Sequence, residues 1–232
     1  MSEVNLWISA IQCSGRVVVL EETTSTQDAA IENNLQVGDV CAALNQTASR
    51  GRRGAKWNAS GGVSVTVVLK LAGPELSIAL AAVLADNLEA CIDNTIGIKW
   101  PNDLFVEGKK LAGILIEQRA GIYLVGVGVN VEPIDQPNSV GIHELGCHID
   151  RATIAGLVVS SIFSACDLDS ESAISLWQTR DILVGTIQTI QSESNTVHGM
   201  VLSIDPCHNL ILQTESGIFE LPAATSTILS PC

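Results

Sequence analysis

The spacing of apolar residues changes near Arg180, and this change constrains the fold more than any other feature. Upstream, short apolar runs typical of strands alternate with longer runs at helical spacing. Downstream, the sequence predicts only short strands separated by polar turns, namely Val184–Ile190, Thr196–Ile204, Leu210–Gln213 and Gly217–Leu221. This pattern predicts an α+β protein with a mixed-sheet domain over residues 1–183 and a small C-terminal β barrel over residues 184–232.

Strands, helices and one hairpin are predicted upstream of this change. The strands are Val17–Leu20, Val40–Leu44, Val63–Leu71 and Ile96–Trp100, and the hairpin joins Lys110–Gln118 to Ile122–Val131 around Ala120-Gly121. The helices run from Ser25 or Thr26 to about Leu35, over Leu76–Cys91, over Ala152–Cys166 after the N-cap Asp150, and over Ser172–Trp177. Asp28 is predicted to complete a capping box with Ser25. Asn102 and Asp103 favour a turn after Pro101.

Composition argues against several functional classes. Apolar residues make up 47% of the chain and charged residues 16%, which allows a large core. The net charge of −13 and an aromatic content of 3% argue against nucleic-acid binding. No apolar run reaches the roughly 18 residues that a membrane span needs. The N-terminus lacks a basic signal region and the cysteines form no Cys-x-x-Cys pair, so we expect a cytoplasmic protein with reduced thiols.

The few basic residues are concentrated in two stretches, and the chain contains no acidic residue between Asp39 and Glu75. The two stretches contain Arg50, Arg52, Arg53 and Lys56, and Lys99, Lys109 and Lys110. An acidic protein that concentrates its cations in this way is suited to binding a compact anion. We favour this interpretation over two solvated loops, because a purely structural surface usually mixes both signs.

Three motifs carry residues suited to such a site. In Gln46–Trp57, arginine forks match phosphate oxygens while glycines let backbone amides approach an anion. In Lys99–Glu117, a lysine enters an apolar strand, a glycine leaves space for a ligand, and Asp103 suits either a turn or a magnesium ion near phosphates. Ser25–Asp28 offers hydroxyls at a helix start, which ordinary N-capping also explains. Gly126-Val127-Gly128 lacks the rest of a dinucleotide fingerprint and is predicted to be a strand packed closely against another backbone or a ligand.

Together these motifs closely resemble those of the bacterial biotin–protein ligases. The matching segments keep the family's order and spacing over about residues 20–131, and they are Ser25–Gln27, Gln46 with Ser49–Trp57, Lys99–Asp103, Gly108–Glu117 and Gly126–Asn130. The resemblance implies a class II synthetase-like catalytic domain and an SH3-like C-terminal module. Only about twenty residues precede the first motif, too few for the winged-helix domain of some family members, and we therefore expect no DNA binding.

The resemblance implies a two-step reaction. The biotin carboxylate attacks the α-phosphate of magnesium ATP to give biotinyl-5'-AMP and pyrophosphate, and a lysine of biotin carboxyl carrier protein then takes the biotin. The implied catalytic residues are Arg52, Lys110 and Asp103. The implied biotin-binding residues are Ser25, Thr26, Gln27, Gln46, Arg50, Gly51, Arg52, Lys110 and Gly113. The implied ATP- and adenylate-binding residues are Arg52, Arg53, Trp57, Asn102 and Asn130, while Mg²⁺ is carried by the phosphates near Asp103 without a protein cage.

Several positions depart from the family pattern. Gln27 replaces the usual asparagine, Ser49 a glycine and Ala55 an arginine, and Asn58-Ala59 stands where Ser-Pro is common. The missing arginine at Ala55 predicts a looser closure of the loop over the adenylate.

Two other functions stay open at this point. One is a lipoate or octanoyl transferase of the same broad fold, which substrate competition would distinguish. The other is a protein that holds biotin or its adenylate without transferring it, against which the retained Arg52 and Lys110 argue. An exposed edge of the Lys110–Val131 sheet would suit either a homodimer or the carrier protein, and the sequence favours neither.

Overall fold

The computed structural model describes residues 1–54, 57, 60–193, 195–223 and 225–229, and of Arg53 only the backbone. The predictions that concern Ala55, Lys56, Asn58 and Ala59 lie outside the described residues. The first part of the chain forms α1 (Glu3–Ala10), β1 (Val17–Thr23), α2 (Thr26–Glu32), β2 (Val40–Gln46), β3 (Val63–Leu69), α3 (Pro74–Glu89), β4 (Gly97–Lys99), β5 (Asp103–Val106), β6 (Lys109–Arg119), β7 (Ile122–Val129), α4 (Arg151–Cys166) and α5 (Ser170–Gln178). The last part forms β8 (Ile187–Ser192), β9 (Asn195–Asp205), β10 (Asn209–Thr214), β11 (Gly217–Pro222) and β12 (Ser226–Leu229).

The first seven strands form one mixed sheet in the order β1-β2-β3-β7-β6-β5-β4. β1 and β2 are parallel and α2 connects them, whereas every other neighbouring pair is antiparallel. The inner strand β3 is buried along its whole length, because helices cover the sheet on both sides. This arrangement confirms the predicted mixed sheet.

The two faces of the sheet bury different residues of the same strands. On one face, α3 and α4 pack together, and Val40, Val67 and Val125 belong to the main core. On the other face, α2 places Ala29 and Ala30 in a smaller cluster with neighbouring strand residues, Cys41, Val68 and Leu124. Alternation along each strand separates these two clusters, and the first turn of α2 contacts β3 through Thr26 and β6 through Gln27.

The five C-terminal strands form a separate antiparallel sheet in the order β11-β10-β9-β8-β12. The four predicted strands are confirmed and β12 is an additional one. Among the described residues no ladder joins β11 to β12, so the sheet is open where the sequence predicted a barrel. The indole Nε1 of Trp100 donates to the carbonyl of Pro206 at 3.0 Å and links the two sheets. The domain boundary after residue 183 stays a prediction.

Local chemistry explains most of the helices and turns. Asp150 caps α4 by accepting from the backbone N–H of Thr153, as predicted. Ala120 and Gly121 both have positive φ in the β6–β7 turn, which is the geometry of a tight hairpin. The predicted turn includes Asn102, but Asp103 already begins β5, a strand that the sequence analysis did not identify.

Three other sequence predictions need correction. The capping box at α2 is wrong, because Ser25 Oγ accepts from the N–H of Gln27 and the carboxylate of Asp28 binds arginines instead. The same helix ends at Glu32 and not at Leu35. The β6–β7 hairpin lies inside the sheet, and only the part of β6 after Gly113 lacks a second strand ladder within the described chain. Among the described residues, no helix has both the length and the apolar character needed to cross a membrane.

Candidate active site

A cavity of about 750 Å³ lies between the mixed sheet and the C-terminal sheet. It brings together most of the residues that the sequence analysis selected: Ser25, Thr26, Gln27, Gln46, Arg50, Gly51, Arg52, Trp57, Asn102, Asp103, Lys110 and Gly113. The side chain of Arg53 is outside the described residues. Asn130 is buried just behind the wall, where its Nδ2 donates to the carbonyl of Lys110 at 3.0 Å.

The start of α2 forms a polar corner of the cavity. The backbone N–H of Thr26 donates to Gln46 Oε1 at 2.7 Å, and Gln46 Nε2 donates to Ser64 Oγ at 2.9 Å. The hydroxyl of Thr26 lies 2.8 Å from that of Thr66. These bonds fix the orientation of the Gln46 amide, so this corner presents defined donors and acceptors to a polar ligand.

Two glycines of β7 leave space for side chains. A Cβ at Gly126 would lie 2.6 Å from Gln27 Nε2, and a Cβ at Gly128 would lie 2.7 Å from the indole of Trp57. The Leu115 carbonyl lies 3.2 Å from the Cβ position of Gly126, and both glycines line the cavity, so the predicted close approach to a backbone is found and the nearest atoms are those of side chains. Gln27 Nε2 donates to the carbonyl of Leu115 at 2.9 Å, while its Oε1 is buried without a partner among the described residues.

Lys110 and Asp103 form an ion pair in the wall of the cavity. The ammonium lies 2.7 Å from Asp103 Oδ1 and 5.1 Å from the centre of the Trp57 ring. A Cβ at Gly113 would lie 3.2 Å from both charged atoms, so a glycine there gives the pair its space. The backbone N–H of Lys110 donates to the carbonyl of Asn138 at 2.8 Å.

Lys99 is a further cation of this cavity that the site prediction did not include. Its ammonium lies 5.3 Å from the centre of the Phe105 ring. Burial lowers the pKa of Lys99, and the nearby Lys110 acts in the same direction while Asp103 opposes it. Of the lining residues that the structure describes, Asp103 alone carries a carboxylate. The cavity is therefore rich in positive charge and suited to a polyanion.

The guanidinium of Arg50 is directed at protein carboxylates. It donates to both oxygens of Asp28, at 2.7 and 2.9 Å, and to Glu117 at 3.3 Å. Arg119 donates to Asp28 as well, at 2.6 Å. The Arg50 hydrogen bond, followed by that of Arg119, holds the pKa of Asp28 at about 2 against the opposing effect of burial.

The C-terminal sheet contributes one wall of the cavity. Gln191, Thr227 and Ile228 line it, and Arg52 Nη2 donates to the carbonyl of Ala223 at 2.9 Å. These positions are more than 130 residues from residues 49–57, the segment that we call the glycine–arginine loop. No local signal in the sequence connects them to the site, and only the packing of the two sheets reveals their role.

A resident metal centre is not formed by the described residues, which contain no group of three or more His, Cys, Asp or Glu side chains arranged to hold an ion. A single carboxylate, Asp103, instead suits a magnesium ion that keeps most of its ligands as water and phosphate oxygens. Such an ion would enter with a nucleotide as part of the substrate.

Comparison with known proteins identifies the family. The model of the biotin/lipoate A/B protein ligase family matches residues 15–133. The chain is 30% identical over 208 residues to the biotin–[acetyl-CoA-carboxylase] ligase of Paracoccus denitrificans, covering 78% of this chain and 87% of the relative. It is 27% identical over 225 residues to the bifunctional ligase/repressor BirA of Escherichia coli, covering 87% of this chain and 70% of that protein.

A solved structure shares the fold. The biotin protein ligase from Aquifex aeolicus in complex with biotin and ATP superposes with a TM-score of 0.83 at 23% identity, covering 93% of this chain and 99% of that chain. The similarity extends over both sheets and confirms the predicted catalytic architecture with an SH3-like C-terminal module. The chain therefore belongs to the biotin/lipoate A/B protein ligase family.

Proposed function

We propose that this chain is a biotin–protein ligase, which activates biotin with ATP and transfers it to a lysine of a biotin carboxyl carrier protein. The observation that carries the proposal is one cavity that combines a polar corner at α2 with Arg52, Lys99 and Lys110. Such a cavity is suited to joining a small polar acid to a triphosphate. The names of the relatives, among them a biotin–[acetyl-CoA-carboxylase] ligase, favour biotin over lipoate.

The polar corner is the proposed site for the biotin head group. The cyclic urea of biotin both donates and accepts hydrogen bonds, which matches the hydroxyls of Ser25 and Thr26 and the amide of Gln46. Gln27, Gly51 and Gly113 complete this part of the wall. We propose that Arg50 contacts biotin through its backbone, because its guanidinium donates to the carboxylates of Asp28 and Glu117.

Lys110 and Arg52 are the proposed catalytic cations. A biotin carboxylate oxygen forms a bond to the α-phosphorus of ATP while the bond to the pyrophosphate oxygen breaks. The two cations offset the repulsion between the anions and stabilise the charge on the α-phosphoryl oxygens. Asp103 holds Lys110 in place and would supply a carboxylate to Mg²⁺ carried by the phosphates.

The adenylate occupies the remainder of the cavity in this proposal. Trp57 offers a flat ring, and Asn102, Arg53 and Asn130 are the other proposed contacts or supports of the nucleotide. In the second step, the amine of the carrier lysine forms a bond to the acyl carbon, and AMP leaves with the anhydride oxygen. The glycine–arginine loop protects the anhydride from water until the carrier arrives.

The carrier, the cell compartment and the absence of DNA binding are further proposals. The net charge of −13 argues against DNA, and the described cysteines are free thiols, which is typical of a reducing compartment such as the cytoplasm. The part of β6 after Gly113 is the proposed edge for pairing with a carrier or a second copy.

Transfer of biotin to a carrier tests this function directly. Purified protein, biotin, magnesium ATP and a biotin carboxyl carrier domain should yield a carrier heavier by one biotinyl group, measured by mass spectrometry. A carrier with its target lysine replaced by arginine is the matched control and should stay unmodified. An unmodified wild-type carrier, with biotin still raising the melting temperature of the protein, would contradict the ligase and favour a binding protein.

A further inference from the structure

Four half-buried charged side chains form a closed network beside the polar corner of the cavity. Asp28 accepts from Arg50 Nη1 at 2.7 Å, from Arg50 Nη2 at 2.9 Å and from Arg119 Nη1 at 2.6 Å. Glu117 accepts from Arg50 Nε and Nη2, both at 3.3 Å, and pairs with Arg119 Nη2. We call these residues the Arg50 network. Two carboxylates balance two guanidiniums, so the network is neutral and self-contained.

This geometry fixes the Arg50 guanidinium as a structural group. Its Nε and both terminal nitrogens donate to carboxylates, and such two-pronged pairs hold a defined orientation. A ligand phosphate would have to compete with two protein anions for the same nitrogens. Arg50 therefore acts on the cavity through the chain that it anchors.

The network joins the two walls of the proposed biotin pocket. Asp28 lies on α2, two residues after Thr26, and Arg50 immediately precedes Gly51 at the start of the glycine–arginine loop. Glu117 and Arg119 lie on β6, in the part of the strand that pairs with β7. The distance between the first turn of α2 and the start of the loop is thus set by these ion pairs.

We propose that Asp28, Glu117 and Arg119 are positioning residues that fix the start of the glycine–arginine loop against the biotin pocket. The proposal rests on the proposed function, because it assigns this wall to biotin. The ion pair of Lys110 and Asp103 lies on β5 and β6 and shares no bond with the network. Loss of the network should therefore weaken biotin binding more than ATP binding, because Lys110 and Asp103 keep their positions.

A second arginine cluster provides matched controls. Arg180 binds Glu89 through two bonds of 2.7 Å, and it binds Asp86 through Nε at 2.9 Å and also through Nη2. None of these three residues lines the cavity. Asp86→Asn and Glu89→Gln therefore remove the same chemistry as Asp28→Asn and Glu117→Gln at a site without a ligand. Asp28→Glu keeps the charge and serves as the conservative variant.

Steady-state kinetics of adenylate formation distinguish an effect on biotin binding from an effect on ATP binding. Asp28→Asn should raise the KM for biotin about tenfold, because the pocket wall that Arg50 anchors loses its fixed position, and it should raise the KM for ATP by a clearly smaller factor. Asp28→Glu should recover most of the affinity, and the Arg180-cluster variants should change neither constant. Equal rises in both constants, or a biotin KM unchanged in Asp28→Asn, would overturn the proposal.

Trypsin cleavage after Arg52 gives a readout that does not need activity. In the absence of ligands, Asp28→Asn should be cut in the loop several times faster than wild type, whereas Asp86→Asn should be cut at the wild-type rate. Equal cleavage rates in the two variants would contradict the positioning role. Wild-type protein that makes no biotinyl-AMP while Asp28→Asn is still cut faster would instead contradict the proposed function alone.

Discussion

At the scale of single residues, the site depends on a few charges that are placed by glycines and backbone bonds. Lys110 has its ammonium against Asp103 and its backbone carbonyl bound by Asn130. The sequence predicted a role for Lys110, because a lysine at the entry to an apolar strand can lean over a site. Asp103 suited a turn as well as a magnesium ion. The contact of Asn130 with the lysine carbonyl could not be predicted, since it depends on the path of the chain after β7.

Replacing Lys110 with alanine should lower the rate of adenylate formation by about 10²–10³-fold, the usual effect of losing one charge-stabilising group. The free energy of unfolding should change by less than about 1 kcal/mol, because the ion pair is partly exposed. Single-turnover kinetics and urea unfolding of the same variant measure the two effects. Full activity in Lys110→Ala would contradict the assigned role.

Gly128 should tolerate no side chain while Trp57 is present. A Cβ at Gly128 would lie 2.7 Å from the indole, so Gly128→Ala should displace the ring and lower stability by about 1–3 kcal/mol. Urea unfolding of Gly128→Ala in the wild-type and Trp57→Ala backgrounds tests this. The loss of unfolding free energy caused by Gly128→Ala should largely disappear in the Trp57→Ala background. An equal loss in both backgrounds would contradict a clash with the indole.

At the scale of elements, regular patterns and local caps were predictable and short paired strands were not. The cap at Asp150 and the turn at Ala120-Gly121 follow from residue chemistry alone. β5 has only four residues between a turn and a tight hairpin, so its strand character comes from pairing with β4 and β6. The ion pairs of the Arg50 network could not be predicted either, since its members come from three separate segments, namely α2, the loop and β6.

The Asp28 ion pairs join these elements and should give stability that depends on pH. The pKa of Asp28 is lowered from 3.8 to about 2 in the folded protein, so the folded state binds its proton less readily than the unfolded chain. Its contribution is present above pH 4 and is lost as the pH falls from about 4 to about 2. After allowance for solvent screening we expect a loss of about 1 kcal/mol.

Urea unfolding between pH 2 and pH 6 measures this contribution. Over the range from pH 4 to pH 2, the curve of Asp28→Asn should fall less steeply than that of the wild type. The other acidic residues titrate in both proteins and cancel in the difference. Parallel curves for the two proteins would contradict the ion pairs of Asp28.

At the scale of the whole molecule, the C-terminal sheet is part of the active site. It lines the cavity through Gln191, Thr227 and Ile228, and it binds Arg52 through the carbonyl of Ala223. The sequence predicted a separate β module, and its strands were largely identified. Its contribution to the cavity could not be predicted, because contacts between distant segments leave no periodic pattern in a single sequence.

Arg52→Ala should impair the enzyme in two ways. It removes a proposed catalytic cation, and it breaks a contact between the loop and the C-terminal sheet. Adenylate should form more slowly, and adenylate that has formed should leave the protein sooner. Gel filtration of the protein–adenylate complex followed by mass spectrometry measures retention. Formation and retention at wild-type levels would contradict both roles of Arg52.

This cavity is proposed to join biotin to AMP, and the formation of biotinyl-5'-AMP is its most direct test. Purified protein should be incubated with biotin and magnesium ATP in the absence of any carrier, with lipoate in a parallel reaction, and the products measured by mass spectrometry. Biotinyl-5'-AMP should form only when both biotin and ATP are present, and no lipoyl adenylate should form. An adenylate formed from lipoate alone, or no adenylate from either acid, would contradict this proposal.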